Sequence, residues 1–222
     1  MRNVVAAYDR HRHAILFYSL LLTLGTAPLL AVLELEGLGL KFTLAINLLA
    51  AVLGIRHGFG RTALLLLAAA AVAAHLAPAG MLAPGLSAAA LVFWSVIGLF
   101  SASVAATFVL RADVVESEHV YAALSVYMLA GVFFGLLHWT IELTWPGSYV
   151  TAGGGFVTMR LFDGIYFSFV TLATLGYGDV TPVSDIARGL SIVESVSGQL
   201  YLAVMIARLV GSHLQNRPRS PH

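Results

Sequence analysis

The sequence has no cysteine among its 222 residues, so disulfide frameworks, thiolate metal sites and thiol chemistry are excluded. Charge is almost as scarce. Only 10% of residues are Asp, Glu, Lys or Arg, against 59% hydrophobic, and the mean hydropathy is +0.88. A soluble domain needs far more charge on its surface, so the composition is that of an integral membrane protein. Lysine occurs once, at Lys41. The other basic residues are arginines and alanine is abundant, a compositional hint of a GC-rich bacterial genome. A formal net charge of +1 suggests neither a nucleic acid nor an acidic partner. The stretch 171–182, around which the chain is organised, has no nucleophile with a base, no metal-ligand spacing and no phosphate loop, and the chain is not expected to be an enzyme.

What is present is a series of apolar runs. A short polar stretch, 1–13, with Arg2, Arg10 and Arg12, precedes the first, at 14–33. Its length of about 20 residues crosses a bilayer core as a helix. It outlasts a signal peptide and is read as a retained span. A second span is expected at 42–55, with Leu38 as an alternative start, and a third at 62–76; Pro78 and Pro84 then stop helix. The fourth, 86–110, stops at Arg111, and an acidic linker follows at 112–118. The fifth, 119–143, carries aromatic residues near its ends, as interfacial anchors do. The turn-forming stretch after it, with Trp145 and three consecutive glycines, is not helix. Residues 162–173 form an apolar segment that reaches about 18 Å as a helix, half a bilayer, and fit a re-entrant helix buried in protein. A sixth span is expected at 186–210, before a short polar tail, 212–222.

Six spans place both termini on one side. With the amino terminus in the cytoplasm, nine basic residues lie inside and only Lys41, Arg160 and Arg188 outside, as the positive-inside rule requires. The outer side then carries Glu36, Glu142, Asp163, Asp179 and Asp185, charges expected to concentrate cations.

The chain is organised around 171–182, TLATLGYGDVTP. Two glycines alternating with larger residues reach conformations closed to other side chains, φ > 0 included. Successive carbonyls from Thr174 through Tyr177 can then turn toward one line, with the Thr174 hydroxyl adding an oxygen below them. Four copies around an axis would stack rings of oxygens able to replace the water around a potassium ion.

T-L-G-Y-G-D resembles the selectivity filter of the tetrameric potassium channels, whose usual form is T-V-G-Y-G. The resemblance covers 120–211 well and the first half of the chain by helix count alone. It implies an all-α integral membrane fold: six transmembrane helices, a re-entrant pore helix and a filter loop, assembled as a homotetramer in membrane lipid. The domain order would be a four-helix scaffold at 14–111, the linker, and a pore domain at 119–211. That domain comprises an outer helix at 119–143, pore helix at 162–173, filter at 174–179 and inner helix at 186–210. The resemblance further implies potassium as the transported ion, coordinated by Thr174, Leu175, Gly176, Tyr177 and Gly178. Asp179, Tyr166, Phe167 and Thr171 would support the filter, with Tyr166, Phe167 and Tyr177 forming an aromatic cuff.

Several residues depart from the family pattern. Leu175 replaces Val, which leaves the coordinating carbonyl in place. Phe167 stands where many relatives have a Trp that donates to the filter aspartate, and Val170 where some have a carboxylate. Asp179 therefore needs another donor, and the Tyr166 hydroxyl is within reach in sequence. The fourth span has none of the regularly spaced arginines of a voltage sensor, so gating by moving charge is not expected. The tail is expected to be too short for a cytoplasmic ligand-binding domain.

Gly198 and Glu194 are the gating candidates. Gly198 reads equally as a hinge and as a close-packing residue. Glu194, a carboxylate inside a span, would attract cations if it faced the cavity. It is read instead as a structural group facing the pore helix, with Ser191, Ser195 and Ser197 suggesting local polar packing. His75 and His138 near outer helix ends are read as interfacial, with pH sensing as the alternative. The expected function is a potassium-selective channel in the plasma membrane of a bacterium. The rival readings are a poorly selective cation channel, a potassium transporter subunit and a non-conducting modulatory subunit.

Overall fold

The computed structural model describes residues 2–33, 36–53, 66, 69–70, 72–73, 84–111 and 117–215. Along these run α1 (Arg2–Val32), α2 (Glu36–Leu53), α3 (Pro84–Leu110), α4 (Ser117–Thr144), β1 (Tyr149–Thr151), α5 (Leu161–Leu172), β2 (Val180–Pro182) and α6 (Asp185–Gln215). Most of the expected third span lies outside the described residues, as do His75, most of the acidic linker and the end of the tail. Among the described residues, four helices are long and apolar enough to cross a membrane: His11–Leu30, Val92–Leu110, Ser117–Thr144 and Asp185–Gly211. Phe42–Ala51 and Leu161–Leu172 are shorter apolar helices.

The helices start earlier than the apolar runs that announce them. α1 begins in the polar stretch and bends at His11, where φ −122° and ψ 20° leave the helical region. α5 occupies Leu161–Leu172, one residue before the expected pore helix. Its first turn is fixed by Asp163, which accepts from the Arg160 backbone N–H at 2.9 Å and pairs with the Arg160 guanidinium at 2.9 Å.

The expectation of an all-α chain needs one correction. β1 and β2 form an antiparallel pair, Tyr149 opposite Pro182, Val150 opposite Thr181 and Thr151 opposite Val180. The chain leaving the glycine stretch is extended, and its backbone groups need partners. The turn-rich stretch before α5 supplies them.

One apolar core joins α1, α2, α3, α4 and α5 through Leu20, Leu44, Trp94, Ile97, Leu129, Leu136 and Ile165. Polar side chains stitch α1 to α2: buried Asn47 accepts from Ser19 and donates to Thr23, both at 2.7 Å. A second core gathers Ile141, Tyr149, Met159, Phe167 and Ala187 behind α5. α5 lies in a groove of α4 made by glycine. A Cβ on Gly135 would sit 2.5 Å from the Ile165 Cα, and one on Gly164 would sit 2.6 Å from the Gly135 carbonyl.

Candidate functional site

The residue types at the end of α5 dictate an abrupt change of direction. Beyond the last helical residue, Leu172, the Thr174 N–H donates to the Thr171 carbonyl at 3.0 Å and the Leu175 N–H to the Val170 carbonyl at 2.9 Å. This is the paired bonding of a Schellman end, which requires a left-handed residue at Thr174. Thr174 has φ 56°, and among the described residues it is the one non-glycine residue with positive φ. Glycine is the usual occupant, and a β-branched residue there stores strain of about 1–3 kcal/mol. Strain of this kind is retained where the side chain is wanted, here a hydroxyl at the mouth of the loop.

The left-handed conformation then recurs at every second residue, with Gly176 at φ 56° and Gly178 at φ 74°. A positive φ at every second position departs from the uniformly negative φ of a strand. Residues 173–179 are all exposed on the single chain, and Tyr177 is 66% exposed.

The outer end of this segment is fixed on two sides. Tyr166 Oη donates to Asp179 Oδ2 at 2.8 Å, the donor named from sequence. The Asp179 carbonyl accepts from the Ala152 N–H at 3.1 Å, continuing the β1–β2 pairing. Thr171 lies in the last turn of α5 and supplies one of the two capping carbonyls.

Phe167 does not join Tyr166 and Tyr177 in a cuff. It is buried in the second core, its ring 4.8 Å from His138 and 5.4 Å from Tyr149 between centroids. Adjacent helical residues point about 100° apart, so Tyr166 and Phe167 serve different faces of α5.

Behind α5 lies a buried polar chain. Glu194 on α6 is fully buried, with its carboxylate on His138 Nε2 at 2.8 Å and on the Ser168 hydroxyl of α5. Ser168 also reaches the Gly131 carbonyl of α4 at 2.7 Å. His138 Nδ1 meets Tyr149 Oη of β1 at 2.5 Å. Burial pushes the Tyr149 phenol up, reinforced by the Glu194 and Glu142 carboxylates, so it stays protonated. The two nitrogens of one buried imidazole thus join Tyr149 to Glu194.

Three sequence readings change here. His138 is wholly buried rather than interfacial, because α4 turns it toward α6 and β1. Glu194 packs against α5 as expected, but its partners are His138 and Ser168. Ser191 and Ser195 instead donate to carbonyls of their own helix, at 2.9 Å and 2.8 Å. Glu142 is buried and holds the Gly147 and Ser148 N–H groups at 2.8 Å and 2.9 Å, so it is not a charge at the outer mouth.

Gly198, one turn beyond Glu194, is buried against the end of α5. A Cβ there would lie 2.7 Å from Leu172 Cδ1 and 3.0 Å from its carbonyl. Close approach is thus a sufficient reason for glycine at this position.

A family model described as an ion channel matches residues 122–212. "Protein LctB" of Geobacillus stearothermophilus is 34% identical over 125 residues, covering 54% of this chain and 88% of that protein. The chain belongs to the ion channel family. "Voltage-gated potassium channel Kch" of Escherichia coli (strain K12) is 33% identical over 85 residues, 37% of the channel and 20% of that protein. "Two pore potassium channel c" of Oryza sativa subsp. japonica is 30% identical over 92 residues, 41% and 18% of the two chains. The channel spans about a fifth of the length of these two relatives. No solved structure matches. The chain is therefore a multi-pass membrane protein of the ion channel family.

Proposed function

We propose that the protein is a potassium-selective channel that conducts ions passively across the plasma membrane through a filter of backbone oxygens. The observation that carries this reading is the alternation of left-handed residues at Thr174, Gly176 and Gly178. Carbonyls on one side of the chain, with the Thr174 hydroxyl, supply the oxygens that replace a potassium ion's water. Leu175 and Tyr177 contribute carbonyls while their side chains face away. One segment lines only part of a ring, so four chains close the pore. The exposure of Tyr177, Leu175 and the long apolar face of α6 on the single chain supports this assembly. Two of the relatives are named as potassium channels, which favours potassium as the ion.

α3 carries no charged residue from Pro84 to Leu110, which argues against gating by transmembrane charge movement. Six spans, the third within 62–76, would place both termini in the cytoplasm and the filter mouth outside.

The test is flux through purified protein in liposomes, with wild type beside Gly178→Asp. A side chain at φ 74° is strained and adds a charge to the oxygen line. Barium-blocked flux that favours potassium over sodium at least tenfold, and is abolished in the variant, is the expected result. Equal potassium and sodium flux would replace this reading with a poorly selective cation channel.

A further inference from the structure

A cavity of about 420 Å³ opens between α1, α2, α3 and α4, far from the filter. Its size falls in the range of small-molecule sites, about 300–1,000 Å³. It is elongated: Ser101 and Arg111 of α3 both line it, as do His119 and Leu129 of α4. Ten residues of helix on each wall correspond to about 15 Å.

The two ends differ in chemistry. Arg12, just past the His11 bend of α1, stands with Arg111 and His119 where α3 ends and α4 begins, the end of α4 opposite the filter mouth. His13 and His119 each stack on the Phe108 ring, with centroids 5.0 Å and 4.5 Å away, and the Arg12 guanidinium lies 5.7 Å from the Phe108 ring centre. No carboxylate lines the cavity among the described residues. The nearby Glu118 is engaged by the His13 N–H at 3.3 Å and by His11 at 3.7 Å. Apart from His13, Ser101 and Thr107, the rest of the described wall is apolar and, at Ala50, Ala51 and Ala105, short enough to leave the space open.

We propose that this cavity binds an amphiphile with one anionic head and an alkyl chain, the head between Arg12 and Arg111 and the chain along Ala105 toward Leu129. Guanidinium groups from two helices lining one cavity suit carboxylate or phosphate oxygens. The apolar wall suits a chain that enters from the surrounding hydrocarbon. Either a free long-chain carboxylate or an anionic membrane phospholipid carries this chemistry. An occupant would touch α3 and the first turns of α4 together, and so would bridge the scaffold and the helix that leads to the filter.

Native mass spectrometry of the intact channel in a neutral detergent tests the site without reading conduction, so it stands or falls apart from the potassium assignment. The probes are dodecanoate, short-chain phosphatidylglycerol and the uncharged dodecanol. Saturable adducts, one per chain, are expected with an anionic probe, and binding at least tenfold weaker with dodecanol. Adducts with dodecanoate alone identify a free carboxylate as the source; adducts with the phospholipid identify the bilayer. Arg12→Gln combined with Arg111→Gln should weaken the anionic adduct at least tenfold, and Ala105→Leu should remove it by filling the wall. The same spectra count subunits, so a misassembled variant is recognised, and the dodecanol comparison needs no variant. Absence of any saturable adduct, equal binding of dodecanol, or undiminished binding in well-assembled variants overturns the proposal.

Discussion

Glu194 shows how much one residue can tie together. It touches α4 through His138 and α5 through Ser168, and His138 passes the connection to Tyr149, opposite Pro182 in the strand that follows the proposed filter. Glu194→Ala would leave the buried His138 Nε2 without its partner, while the Ser168 hydroxyl keeps the Gly131 carbonyl. Leaving a buried polar group unsatisfied costs about 1–3 kcal/mol. The expected outcome is a clear fall in the thermal stability of the detergent-solubilised protein, with Glu194→Gln, which keeps an acceptor, falling by less than half as much. Equal melting of Glu194→Ala and wild type would show that the chain of bonds is not holding the fold. Sequence marks Glu194 because a carboxylate in an apolar run is expensive wherever it points. It does not mark His138 as the partner, since 56 residues separate the two and no periodicity spans that gap.

Between elements, the decisive contact is that of α5 with α4. At Gly135 an added methyl group meets backbone, the Ile165 Cα at 2.5 Å, whereas at Gly131 it meets the far edge of the Phe169 ring at 2.5 Å. A ring can turn aside and a helix backbone cannot. Overpacking costs about 1–3 kcal/mol, so Gly135→Ala should lie at the upper end and Gly131→Ala at the lower. Comparative melting of the two variants checks the order, and Gly131→Ala as the more damaging change would refute it. Helices were legible because apolar runs of sufficient length have few other solutions, and α5 because its run is too short to span. The β1–β2 pair was not. Strands of three residues in a glycine-rich stretch have no alternation to read, and their pairing depends on where α5 delivers the chain. Phe167 was misassigned for a related reason. A motif places a residue in sequence, while the helix phase decides which core receives it.

For the whole molecule, the single chain leaves apolar surface where a soluble protein would not. Leu200 is 62% exposed and Ile192 65%, along the same helix that buries Glu194 and Gly198 on its other side. Lipid and neighbouring copies are the two environments able to cover such a face, and the proposed tetramer assigns it to both. The turn after β1, where Val150 bridges Phe156 to make a short hairpin beside the proposed filter, supplies a further handle. Its tip, residues 152–155, is exposed, and Ala152 ends the pairing with Asp179. Since the chain has no native thiol, Ala152→Cys would install one reactive sulfur per subunit at a known address. A maleimide too polar to cross the membrane should modify it in intact cells, and labelling only after lysis would invert the orientation proposed here. The hairpin thus makes the protein a ready carrier for a dye or spin label a few residues from its ion path, with no background to subtract.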